Sequence, residues 1–591
     1  MMDAEQEFVQ DPPRKDRTPF ILALALGGIV LVAIVIGFTT GGGGRRQYDR
    51  IGADANTVDH LELAIDALKQ RSTTGASTGL TRAVSYLNQW SDEQKLAEKS
   101  WQAEPLTKKL PGDLRIDRLQ ELLGMPAFIP ADLSYLQEAA WAREITRWVT
   151  PQPANPDLEP WLKKLEETAG PDVRLQVNAA ERLFDWTICN VALDAFPPEP
   201  KAAVASAGDS PDSFAPSMRG IPGPGYTRLP QLSLLTGRGD AWERSRVFIA
   251  LCRQAGIEVV MLGTPGTTLA DSKAWISAAL IGGKLYLFDA ELGLPIPDAD
   301  GGIATLDEVV ADPKLLRALD LEGIGRYPIG EKELNDIVAL IDSPLYGMSK
   351  RMQALEGSLR GDRRLKLAAF AADLPQRLEQ TKHVKHVVLW RVSVDAVMFD
   401  ETSQLLRSRD PAAQLAYQLQ FNMYLRPTPL RQAREAYFRG DFSLEPPRRG
   451  ARELYLAVRP PDAELRRLAI AGDAWMFFGL REPPKSPAET QRLNDQYVSL
   501  LRRGKEDATY FLGVCQFEEG AFDLSREWFE KVLIEKAADS PWVGPGRYML
   551  GRSYESLNEW EKAREQYLTD QSPQRYGNIL RASAIRRKHK S

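Results

Sequence analysis

Between residues 240 and 290 the spacing of apolar residues passes from helical to strand-like and then to a paired pattern. No other stretch of this 591-residue chain restricts its fold so narrowly. AWERSRVFIALCRQAG (241–256) ends on Gly256 and predicts an amphipathic helix with a glycine stop. IEVVML (257–262) is β-branched and apolar, the pattern of a buried strand. AWISAAL and KLYLFDA then flank Ile281-Gly282-Gly283, which predicts a β-hairpin turning on the glycines. A helix backed by an antiparallel sheet is the local architecture.

The rest of the chain reads as mostly helical, and its length suggests several domains. Residues 55–150 form a helical domain in which Trp90, Trp101, Trp141 and Trp148 serve as packing anchors. PQPANPDLEP (151–160) separates it from an α+β domain over 175–330, whose loop at 196–230 is rich in Pro, Gly, Ser and Ala. Residues 345–500 return to helix, with one strand expected at 386–390. A repeat occupies 506–570, and 571–591 form a basic tail containing Arg586, Arg587, Lys588, His589 and Lys590. This tail reads as solvated, with attraction to anionic lipid as the sharper alternative.

A net charge of −5 gives no reason to expect a nucleic-acid partner. Cys189, Cys252 and Cys515 lie far apart, and His383 and His386 have no ligand cluster beside them, so no metal or other cofactor is expected.

From Phe20 to Phe38 the chain runs nineteen residues without a charge. As a helix this run would be about 29 Å long, close to the thickness of a bilayer's hydrocarbon. It predicts a single transmembrane helix after a tail at 1–19 and before a flexible linker at 39–54. The expectation is a single-pass membrane protein with its body on the non-cytoplasmic side.

Two resemblances follow from particular residues. Leu512-Gly513, Gly520, Phe522, Ser525 and Phe529 recur as Leu550-Gly551, Asn558, Trp560, Ala563 and Tyr567, together with Tyr554. This resembles a pair of tetratricopeptide repeats, with REAYFRGDF (434–442) and GARELYLAV (450–458) as a weaker copy. Such arrays imply a protein or peptide partner bound through 506–570; a purely structural cap is the other reading.

The second resemblance is to the transglutaminase-like superfamily, the papain-type fold of Cys-His-Asp enzymes. AERLFDWTICN (180–190) is similar to the helix before its catalytic segment, and GDAWERSRVFIALCRQAGI (239–257) to its nucleophile helix. KAWISAALIGGKLYLFDAELG (273–293) resembles its histidine and aspartate strands. The resemblance implies a thiolate at the helix N-terminus, a histidine base and an orienting aspartate. Here those positions hold Ala241, Lys273 and Asp289, so a Cys-His mechanism is excluded. An ion pair between Lys273 and Asp289 is the structural expectation.

The functional expectation is a membrane-anchored interaction or scaffold protein around an inactive transglutaminase-like domain. A membrane-bound hydrolase using Ser245 and Lys273 is the alternative.

Overall fold

Six strands form the central sheet in the computed structural model, which describes residues 59–70, 76–110, 116–198, 222–425, 428–443, 448–474 and 486–589. They are β1 (Glu258–Thr264), β2 (Lys273–Ile281), β3 (Lys284–Asp289), β4 (Leu294–Pro295), β5 (Ile337–Ile341) and β6 (Val384–Leu389). Their order is β4-β3-β2-β1-β5-β6, antiparallel at every pair except β5 and β6, which run parallel. The hairpin between β2 and β3 turns on Gly282 and Gly283, pairing Ile281 with Lys284.

Alternation along the strands assigns the two faces. Val259, Met261, Ala279, Ile281 and Phe288 enter one hydrophobic core, while Val260, Leu262, Ala278, Leu280 and Leu287 enter another. Both faces are thus covered, which explains why β1 reads as continuously apolar instead of alternating.

Helices cover the sheet on both sides. The ones used below are α1 (Pro130–Val149), α2 (Pro171–Asn190), α3 (Pro230–Thr236), α4 (Ala241–Ala255), α5 (Val392–Arg409), α6 (Pro411–Leu425) and α7 (Pro429–Phe438). After them come α8 (Pro487–Glu518), α9 (Phe522–Glu527), α10 (Val543–Ser556), α11 (Trp560–Thr569) and α12 (Arg575–Lys588). Phe184 of α2, Phe248 of α4 and Phe288 of β3 meet pairwise with ring centroids 5.2–5.3 Å apart, joining two helices to the sheet.

Helix α4 has no exposed face of the kind its amphipathic pattern implies. Every residue from Glu243 to Cys252 is buried, Arg244 and Arg246 included, because neighbours enclose it on all sides. The basic tail is helical: α12 extends to Lys588 and buries Leu580, Ala582 and Ile585, while Arg586, Arg587 and Lys588 stay exposed and His589 stacks 3.8 Å from Trp560.

The expected fold class needs correction. The separate domains suggested by length are not separated, since one core runs from Trp141 to Ile585 and residues 59–591 form one unit. The single transmembrane helix and the single-pass location are also corrected: among the described residues, no helix is long and apolar enough to cross a membrane. The longest of them, α8, carries Arg502, Arg503, Lys505, Glu506 and Asp507 at its middle. The run 20–38 lies outside the described residues.

Candidate functional site

The N-terminus of α4 is where the transglutaminase resemblance places a nucleophile. Asp240 caps this helix, accepting the backbone N–H of Trp242 and Glu243 at 2.9 Å on one oxygen and that of Gly225 at 2.7 Å on the other. Glu243 accepts the Asp240 N–H in return, at 3.1 Å, and completes a capping box. Arg228 then bridges Glu243 at 3.1 Å and Asp194 at 3.0 Å. Burial pushes the Glu243 carboxyl up to about 7, Asp240 adds to the shift, and Arg228 opposes it. Two carboxyl groups therefore occupy the helix end whose partial positive charge would otherwise favour a thiolate. Ala241 is buried among them and offers only a methyl group.

The aspartate position is equally closed. Asp289 is buried at the end of β3, and one oxygen accepts the N–H groups of Glu291 and Leu292, both at 2.9 Å. The other accepts the Tyr327 hydroxyl at 2.6 Å, and that hydroxyl accepts the Trp275 indole N–H at 2.8 Å. Burial raises the Asp289 carboxyl above the usual range, against the Tyr327 hydroxyl and the two N–H groups. Tyr327 makes the hydrogen bond that the resemblance would give to a histidine.

Lys273 takes no part in this arrangement. It is exposed at the start of β2, opposite Thr264 of β1, whereas Asp289 lies opposite Leu294 of β4. Among the described residues no ion pair joins Lys273 to Asp289, so the expected pair is corrected; strand register separates the two residues. Ser245, the other residue of the alternative site, lies on a different element, α4. Ser245 is buried, and its hydroxyl donates to the Ala241 carbonyl at 2.9 Å within its own helix. Cys252 is fully buried, and burial alone raises its thiol well above the ordinary value. His383 stands 3.5 Å from Asp307 while His386 is exposed.

The repeat region is two stacked helical hairpins, the C-terminal part of α8 with α9 and α10 with α11. A Cβ on Gly513 would stand 2.5 Å from the Phe529 ring, and one on Gly551 would stand 2.5 Å from the Tyr567 ring. The recurring Leu-Gly pair is thus explained by a close helix crossing. Gly520 and Asn558 occupy the turn with φ of 75° and 60°, and Gly440 has the same conformation in the weaker copy, at 75°.

The first helices of both copies face α2. Tyr510 donates to the Cys189 carbonyl at 3.4 Å, and Glu518 accepts from Asn190 at 3.3 Å. Arg552 grips Asp185 through two bonds of 2.7 and 3.0 Å. At the far end, Arg244 of α4 donates to Gln574 at 2.5 Å, and Gln574 donates to the Leu292 carbonyl at 2.7 Å. Tyr510, Glu518 and Arg552, on the first helices of the repeat, are thus engaged by the chain's own helix.

Sequence patterns missed Tyr327, which sits in an irregular segment far from Asp289, and Gly225, whose N–H closes the Asp240 cap. Residue identity alone marks neither of them. Comparison with family models, with curated proteins and with solved structures finds no match to this chain.

Proposed function

We propose that the chain acts by binding and not by turnover. It is an interaction or scaffold protein in which a transglutaminase-like fold, emptied of nucleophile and base, supports the helical repeat of 506–570. The observation behind this reading is the centre itself: Ala241 at the capped end of α4, and an Asp289 already satisfied by Tyr327. A hydrolase built on Ser245 and Lys273 has no such support, because Ser245 is committed inside its helix and Lys273 is exposed on another element.

The partner is a protein or peptide. With Tyr510, Glu518 and Arg552 engaged by α2, recognition falls to the second helices of the repeat, where Leu524 and Leu568 are among the exposed large apolar residues. Cross-linking of the full chain, compared with a Leu524→Glu/Leu568→Glu variant, tests this. Both residues are surface-exposed, so the variant should keep its melting temperature and lose a defined cross-linked partner. A partner captured equally by both proteins would contradict the assignment.

A further inference from the structure

A cavity of about 350 Å³ lies beside α4, away from Ala241, Lys273 and Asp289, none of which lines it. This volume suits a small molecule. Its walls come from α1, α3, α5, α6 and the segment after β5, and they are largely apolar, with Leu229, Leu232, Leu235 and Val397 among them. Tyr135 and Tyr346 add aromatic surface; the Tyr135 hydroxyl is already donated to the Leu367 carbonyl at 2.8 Å.

The ionisable groups in the lining are unequal. Arg246 is neutralised from behind by Asp342, whose carboxylate lies 3.4 Å from its Nε and also accepts the Ser393 hydroxyl. Asp400 accepts from Gln404 at 2.8 Å and is opposed by Arg407. Glu138 is different. It is only 6% exposed, yet among the described residues it accepts one hydrogen bond, from the Gln231 N–H at 3.1 Å on Oε2. A carboxylate has about four acceptor positions, so a buried one left this bare calls for a donor from outside the chain.

We propose that this cavity binds an organic cation, an ammonium head on an apolar body, with the Glu138 carboxylate as its counter-ion. The apolar walls take the body, and the head supplies a direct ion pair and the missing hydrogen bonds. A carboxylate ligand would meet two acids and an arginine that is already paired. A neutral alcohol would bring no charge of its own to the acid, on which only Arg246, already paired, and Arg253 act.

The pH response follows from the groups around Glu138. Burial holds its carboxyl up at about 7; Arg246, Arg253 and the Gln231 N–H oppose that shift, and Asp342 adds to it. The free acid is protonated below that value and cannot pair with a cation. Affinity should therefore rise with pH up to about 7 and then level off, with a proton released on binding near neutrality.

Titration calorimetry of the full chain with hexylammonium, hexanol and hexanoate tests the proposal. Hexylammonium should bind at least about tenfold more tightly than either control at pH 8, and Glu138→Gln should lose at least about tenfold of that affinity. Equal binding of all three, a preference for hexanoate, no binding at all, or full affinity in Glu138→Gln would overturn it. Should Glu138→Gln fail to fold, Val397→Trp decides, because it fills the cavity and leaves the carboxyl in place. A folded Val397→Trp protein must lose hexylammonium, and retained binding would refute the site.

Discussion

Among the described residues, Tyr327 is the side chain that donates to the buried Asp289. Its hydroxyl is one of three donors to a buried carboxyl, and Tyr327→Phe leaves Asp289 with backbone N–H groups alone. Losing that bond should cost about 1–3 kcal/mol in denaturant unfolding. Introducing the residues that the transglutaminase resemblance implies, with Ala241→Cys and Lys273→His, should confer no activity. The cysteine would start beside Asp240 and Glu243, whose negative charge disfavours a thiolate, and the histidine would stand exposed, out of register with Asp289. Its thiol should alkylate no faster than an ordinary cysteine, and hyper-reactivity would show the account of the site to be wrong. Ala241 and Asp289 were legible in the sequence because each sits at the end of a strongly patterned element. Tyr327 was not, since an irregular segment brings it to the strand and its spacing carries no signal.

Helix α4 and the repeat show which element-level signals survive in the structure. Periodicity located α4 and Gly256 ended it, but from Glu243 to Cys252 the structure buries its polar positions along with the apolar ones. A single sequence does not reveal how many neighbours a helix has. The repeat was legible because close packing demands the same small residue twice. Gly513→Ala or Gly551→Ala should destabilise by about 1–3 kcal/mol, the ring clash outweighing the gain in helix propensity. Asn558→Gly should be neutral or slightly stabilising, while Asn558→Ala should cost about 1 kcal/mol, as the left-handed turn requires. Thermal or denaturant melts of the four variants check the sign of each change.

At the scale of the whole molecule, the repeat and the α+β core belong to one compact unit. Arg552 and Asp185 lie far apart in sequence, and their pairing was not readable from either segment. Arg552→Ala should cost about 2–3 kcal/mol, less than for a fully buried pair because the Asp185 side chain keeps 28% exposure. A chain ending near residue 500 should not fold as a shortened body, since it would uncover α2 and remove Gln574 from Arg244. A cooperative melt of that truncated chain with an unchanged midpoint would refute the unity described here. The proposed function, binding without turnover, is a separate claim.

The most direct test of this claim is to treat the native chain with acylating probes for serine and cysteine nucleophiles and to map the adducts by mass spectrometry. Inert binding predicts no adduct at Ser245, which is bonded within its helix, and none at the fully buried Cys252. Stoichiometric modification of Ser245, lost in Ser245→Ala along with a hydrolytic activity, would contradict the account.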